Sequence, residues 1–257
     1  MTRLTDAFKN KKAFIPFVTA GDPDLSTTEA LIYAMEEAGA RVIELGIPFS
    51  DPVAEGPVIQ EADNRALAAG FRIDALFDLL EKVREKTEIP LVFLTYANPI
   101  FTYGREAFFT RCAKASIDGV IVPDVPFEER ATLLPFAREK GIALISLIAP
   151  TSHERVQMLA REAEGYIYLV SSMGVTGVRE KITTDLKEIV EKIREVSNQP
   201  VAVGFGIARP EQAAQMADIS DGAIVGSAIV KLVAKYGKTA VGPVRDYVLS
   251  MVEAVRV

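Results

Sequence analysis

Ala13-Phe14-Ile15-Pro16-Phe17-Val18-Thr19 runs into the turn Ala20-Gly21-Asp22-Pro23-Asp24 and then into a longer segment from Ser26 to Ala38. The first run is apolar rather than alternating, as expected of a strand buried on both faces of a parallel sheet. Ser26–Ala38 has helical periodicity. Ser26 and Glu29 in Leu25-Ser26-Thr27-Thr28-Glu29 have capping-box spacing, so Ser26 is expected to cap the helix and Glu29 to reach back. Gly39 stands where a left-handed helix stop is expected. Strand, turn and helix form one unit, and the unit recurs.

Further strands are expected at Arg41–Leu45, Leu91–Tyr96, Gly119–Val122, Ala143–Ile148, Tyr166–Val170, Val201–Phe205 and Ala223–Val225. Between them lie helical segments at Val58–Ala69 with Ile73–Lys86, Glu106–Lys114, Glu128–Lys140, His153–Ala163, Asp185–Val196 and Pro210–Met216, and a helical region follows Ser227. Gly141 is a second expected helix stop. Eight such units in a chain of 257 residues point to a closed (β/α)8 TIM barrel rather than an open doubly wound sheet. An extra N-terminal helix around Thr5–Asn10 is expected to close its floor, and a short extra helix is expected after strand 8. No low-complexity tract or linker interrupts residues 1–257, so one domain is expected.

Composition narrows the chemistry. Lys and Arg number 29 against 35 Asp and Glu, a net charge of −6, and the only basic run is Lys9-Asn10-Lys11-Lys12, so no nucleic-acid partner is expected. The apolar runs are far short of the roughly 18 residues needed to span a bilayer, and the opening Met1–Asp6 does not lead into the continuous apolar stretch expected of a secretion signal. A cytoplasmic protein without membrane contact is expected. One cysteine, Cys112, and one histidine, His153, leave little for a metal site or a nucleophilic triad. Cys112 reads as packing and His153 as a helix start, so no metal is expected and the chemistry falls to carboxylates, hydroxyls, cations and backbone amides.

In a barrel those groups belong on the loops after the strands. Three glycine-bearing loops, Gly174-Val175-Thr176-Gly177, Gly204-Phe205-Gly206 and Gly226-Ser227, follow strands six, seven and eight. Glycine lets backbone amides approach a dianion, and a helix starting at Ser227 points its positive end at the same sector, so a phosphate-bearing ligand is expected. Two acids stand across the mouth. Glu44 lies in the apolar run Val42-Ile43-Glu44-Leu45 with only Arg41 as a cation on its strand; if it points inward, desolvation raises its pKa and suits it to proton transfer. Glu55 follows on the proline-rich loop Ile47–Pro57. Asp124, between Pro123 and Pro126, reads as a turn-forming acceptor of backbone amides, and Tyr33, Tyr96 and Tyr103 carry no signal beyond packing.

Glu44-Leu45-Gly46-Ile47-Pro48-Phe49-Ser50-Asp51-Pro52 followed by Ala54-Glu55-Gly56-Pro57 resembles the signature of the tryptophan synthase alpha chain family. Pro16–Pro23, Thr95-Tyr96-Ala97-Asn98-Pro99, Pro123-Asp124-Val125-Pro126, Gly174–Gly177, Gly204–Ile207 and Gly226–Ile229 resemble it too, in family order over nearly the whole chain. The resemblance implies retro-aldol cleavage of indole-3-glycerol phosphate to indole and glyceraldehyde 3-phosphate. It implies no cofactor in this chain; pyridoxal phosphate belongs to the partner beta chain of an alpha2-beta2 complex, which receives the indole.

By the same resemblance Glu44 moves the proton, Glu55 serves the ring nitrogen and Tyr168 is an active-site tyrosine. Ile59, Leu94 and Phe205 are implied to flank the indole and Phe17 to bind substrate, with Thr176 bonding the catalytic loop. Gly177, Gly206, Gly226 and Ser227 match the phosphate cradle. Residues 171–184 have the length of a lid, and Asp51-Pro52 and Asn98-Pro99 are loop supports or partner contacts. The family's usual residue at position 55 is aspartate, so Glu55 is one methylene longer.

Overall fold

Every residue of β1 (Ala13–Thr19) is buried, and its side chains divide between two environments. Phe14 and Val18 face the surrounding helices, whereas Ala13 and Ile15 face the barrel interior. The computed structural model describes residues 2–150, 153–171, 179–204 and 206–256; the side chains of 153 and 179–185 lie outside that description. The other strands are β2 (Ile43–Gly46), β3 (Leu91–Leu94), β4 (Gly119–Ile121), β5 (Ala143–Leu144), β6 (Ser146–Ile148), β7 (Ile167–Val170), β8 (Val201–Gly204) and β9 (Gly222–Val225).

All pairings are parallel, in the order β5-β4-β3-β2-β1-β9-β8-β7-β6. The two ends of that order are halves of the one strand expected over Ala143–Ile148. They part at Ile145, whose side chain enters the interior, and through them the barrel closes. Nine assigned strands are thus the eight expected ones with the fifth divided.

The helices are α1 (Arg3–Ala7), α2 (Leu25–Glu37), α3 (Pro57–Ala68), α4 (Ile73–Val83), α5 (Ala97–Tyr103), α6 (Arg105–Lys114), α7 (Leu134–Glu139), α8 (His153–Arg161), α9 (Arg179–Arg194), α10 (Pro210–Ile219), α11 (Ser227–Tyr236) and α12 (Val241–Arg256). They bury helical-period faces against the strands, as α4 does with Leu76, Phe77, Leu80 and Val83. Gly39 and Gly141 have φ of 96° and 70°, the left-handed conformation expected where α2 and α7 stop.

The α2 cap differs from its expectation: Asp24, not Ser26, is the N-cap and accepts from the Thr27 amide at 2.7 Å, while the Ser26 hydroxyl donates to Asp24. The helix therefore begins at Leu25. α5 is an element with no sequence expectation, and α9 starts at Arg179 rather than Asp185. Among the described residues no helix is long and apolar enough to cross a membrane.

α1 seals the floor. Its Leu4 and Ala7, with Phe8, pack on Ile15, Val42, Val92, Ile121, Tyr166 and Ile224 inside the barrel. Asp118 ties this end together, accepting from Arg3, Arg84 and the Leu91 amide. The opposite end of the strands is left to the loops.

Candidate active site

A cleft of about 390 Å³ opens at the C-terminal end of the barrel. β1 contributes Phe17, β2 Glu44, β3 Leu94 and β7 Tyr168; the loops add Glu55, Gly206 and Gly226, and helices add Ile59, Ser227 and Lys231. Two-residue periodicity explains the first set. Val42 lies on the interior face, so Glu44, two residues on, points inward one layer higher, opposite Phe17 in register. Two glycines make room. A Cβ on Gly46 would stand 2.6 Å from the Phe17 ring, and one on Gly204 would enter the Tyr168 ring.

Glu44 is 1% exposed and no cation pairs with it among the described residues. Arg41 turns the other way and donates to the Ala7 carbonyl at the floor. Among the described residues the one hydrogen bond to the carboxylate comes from the Tyr166 hydroxyl, 2.5 Å from Oε1. Burial pushes the Glu44 carboxyl up to about 8; the Tyr166 bond opposes the rise and the charge of Glu55 adds to it. Such a group holds its proton at neutral pH and can still release it. Tyr168 is pushed well above the usual tyrosine range by burial and by the charges of Glu44 and Glu55, so it remains a neutral hydroxyl.

Glu55 stands at the end of the proline-rich loop. Its amide donates to the Pro52 carbonyl, its own carbonyl accepts from the Gln60 side chain, and Gly56 with Pro57 then begins α3. Burial raises its carboxyl to about 7, moderated by the Tyr96 hydroxyl 3.5 Å away. Tyr96 is therefore more than packing: its hydroxyl also accepts from the Ala54 amide at 3.1 Å, and its ring lies against Phe49. A strand-end tyrosine gave no sign of this, because the partner loop lies about forty residues earlier in the chain.

One end of the cleft is built from α11. Gly226 is its N-cap, no side chain caps it, and the first intrahelical amides to close on Gly226 are those of Ile229 and Val230. The amides before them face the cleft mouth, where a helix attracts negative charge. Gly206, with φ 75°, adopts a backbone that disfavours a side chain, and Lys231 brings a cation one turn beyond Ser227. Lys231 went unnoticed in the sequence, although its i+4 spacing from Ser227 was the available signal.

Nine of the expected site residues thus meet in one cleft: Glu44, Glu55, Tyr168, Phe17, Ile59, Leu94, Gly206, Gly226 and Ser227. Thr176, Gly177 and Phe205 lie outside the described residues, as do residues 172–178 of the expected lid; residues 179–184 of that segment belong to α9. Asp124 accepts a backbone amide as expected, but from Ala97 at the start of α5 rather than from its own turn.

The tryptophan synthase alpha chain family profile matches residues 4–253. The chain is 52% identical over 252 residues to the tryptophan synthase alpha chain of Lactiplantibacillus plantarum, covering 98% of this chain and 95% of that one. It is 50% identical over 247 residues to that of Lacticaseibacillus casei, covering 96% and 93%. Among solved structures, tryptophan synthase subunit alpha from Legionella pneumophila is similar with a TM-score of 0.90 at 35% identity, covering 99% of this chain and 98% of that one.

Proposed function

The chain belongs to the tryptophan synthase alpha chain family, and we propose that its cleft cleaves indole-3-glycerol phosphate to indole and glyceraldehyde 3-phosphate. The observation that carries this reading is the buried Glu44, unpaired with any cation among the described residues, facing a cleft whose far side is an uncapped helix N-terminus.

The indole lies among Phe17, Ile59 and Leu94, with Phe205 beside it, and the phosphate meets the amides of Gly206, Gly226 and Ser227 together with Gly177. Glu44 gives its proton to ring C3, and the positive charge this creates on the ring is met by the Glu55 carboxylate accepting the ring N–H. As the bond between C3 and the side chain breaks, the side-chain hydroxyl forms the aldehyde and returns its proton to Glu44. The proton count closes within the site, so the reaction draws on no cofactor of this chain. Tyr168, a neutral hydroxyl beside both acids, fixes the substrate between them. Thr176 bonds the catalytic loop when residues 171–184 close over the substrate and exclude water.

Indole passes to a beta chain, which holds the pyridoxal phosphate, in an alpha2-beta2 complex. Val53, 80% exposed beside Asp51-Pro52, and Phe101, 48% exposed beside Asn98-Pro99, offer apolar contact on the segments expected to meet that partner.

Glyceraldehyde 3-phosphate release from indole-3-glycerol phosphate, measured with and without a beta chain, tests the reading. The parent releases product and Glu44→Gln, folded and still binding glycerol phosphate, does not. Normal release by Glu44→Gln removes Glu44 from the reaction.

A further inference from the structure

Tyr96 follows β3 and is 2% exposed, yet it is not among the residues that line the cleft. Its backbone is gripped on both sides from β4 and the turn after it. The Thr95 amide donates to the Ile121 carbonyl at 3.0 Å, and the Ala97 amide donates to the Asp124 carboxylate at 3.0 and 3.2 Å. The ring is held from the proline-rich loop, 5.3 Å from the ring of Phe49. A tyrosine fixed this way has one group left to place, its hydroxyl.

A phenol oxygen has one hydrogen to give and lone pairs to receive. The Ala54 amide donates to it at 3.1 Å, which leaves the hydroxyl hydrogen for Glu55 Oε1, 3.5 Å away and its one acceptor among the described residues. The two bonds run in one direction, amide to hydroxyl to carboxylate, so each polarises the next. At 3.5 Å the second is loose, as catalytic hydrogen bonds commonly are before the transition state draws them in. The charged groups acting on the hydroxyl are acids: Glu55 on the loop, Asp63 on α3 and Asp124 after β4. Burial and these charges raise the tyrosine above its usual range, so it stays a neutral donor. Glu55 also shares the cleft with Glu44 and Tyr168, but among the described residues only Tyr96 donates to its carboxylate.

Glu55 needs such a hold. Glutamate has one more rotatable bond than aspartate, and an unpinned carboxylate divides its time among rotamers. The backbone bonds to Pro52 and Gln60 fix where the residue starts, not where its carboxylate ends. We propose that Tyr96 is the positioning residue for Glu55: its hydroxyl, aligned by the Ala54 amide, aims the carboxylate at the indole N–H. This rests on the role given to Glu55 above.

Tyr96→Phe keeps the ring and removes the hydroxyl. In the full-length variant, glyceraldehyde 3-phosphate release from indole-3-glycerol phosphate is expected to show kcat roughly tenfold lower, with KM within about twofold of the parent. The bond from Tyr96 lowers the Glu55 pKa, so its loss should also move the acid limb near 7 to higher pH. In a Glu55→Gln background the same replacement should cost nothing further. A folded Tyr96→Phe with parental kcat and an unmoved acid limb overturns the proposal. So does an equal cost in both backgrounds, the mark of a residue that only packs. If Tyr96→Phe does not fold, carbon-13 NMR of the parent with labelled tyrosine decides: the Tyr96 Cζ resonance follows the Glu55 titration near 7, and a flat resonance overturns the bond. Glu55→Gln turning over at the parental rate would instead defeat the role of Glu55, and the proposal with it, whatever the Tyr96 resonance shows.

Discussion

Replacing Tyr166 by Phe removes the hydroxyl that holds Glu44 and, with it, a contact that lowers the Glu44 pKa. The basic limb of the pH–rate profile, set by loss of the Glu44 proton near 8, should therefore move to higher pH in Tyr166→Phe; a shift to lower pH contradicts the assignment. For the parent, kcat/KM is expected to be bell-shaped, falling below about 7 as Glu55 gains a proton and above about 8 as Glu44 loses one. Stability carries the opposite sign to an ordinary salt-bridged acid. Glu44 titrates at about 8 when folded against 4.5 unperturbed, so the folded chain holds a proton that the unfolded chain has released between those values. Its contribution to stability is lost as pH rises through that window. Glu44→Gln should gain on the parent in thermal unfolding between pH 5 and pH 9, by on the order of a few kcal/mol. A constant difference across that range contradicts the buried, protonated carboxyl. The two acids were legible in the sequence because each interrupts an apolar or proline-rich run. Tyr166 was not, because it lies 122 residues from Glu44 and only barrel closure brings them together.

At the level of elements, the α2 cap shows how a local pattern can match and still be displaced. Asp24 stands two residues before Ser26 and binds the Thr27 amide, besides pairing with Lys238. Asp24→Ala should cost about 1 kcal/mol in urea unfolding and Ser26→Ala much less, as cap substitutions go. The reverse order contradicts the observed cap. The strands were legible as apolar runs, and only their ends were off by a residue or two. α5 was missed because Ala97-Asn98-Pro99 reads as a turn, yet Pro99 falls in the first helical turn, where a missing amide costs nothing. Gly204 belongs to this scale as well. Its lack of a side chain lets Tyr168 lie across β8, so Gly204→Ala is expected to displace that ring and lower kcat at least tenfold while the fold persists. Unchanged kcat in that variant separates Tyr168 from the chemistry.

The whole molecule divides its labour between two ends. α1, the Asp118 network and the lower interior layer close the floor, whereas the carboxyls and the uncapped α11 N-terminus gather at the mouth. Leu4→Ala at the floor should cost about 2–4 kcal/mol in chemical denaturation and leave kcat within twofold of the parent. A large loss of kcat in the folded variant contradicts that division. What joins the two ends is Tyr166, packed against the Phe8 ring below and bonded to Glu44 above. The account as a whole turns on the charge state of Glu44 inside this frame, and infrared spectroscopy reads it directly. In the difference spectrum between the parent and Glu44→Gln, a protonated carboxyl band is expected at pH 7, disappearing with a midpoint near 8. A band already lost at pH 6 means that Glu44 enters the site as an ordinary carboxylate, with no proton to give to the ring.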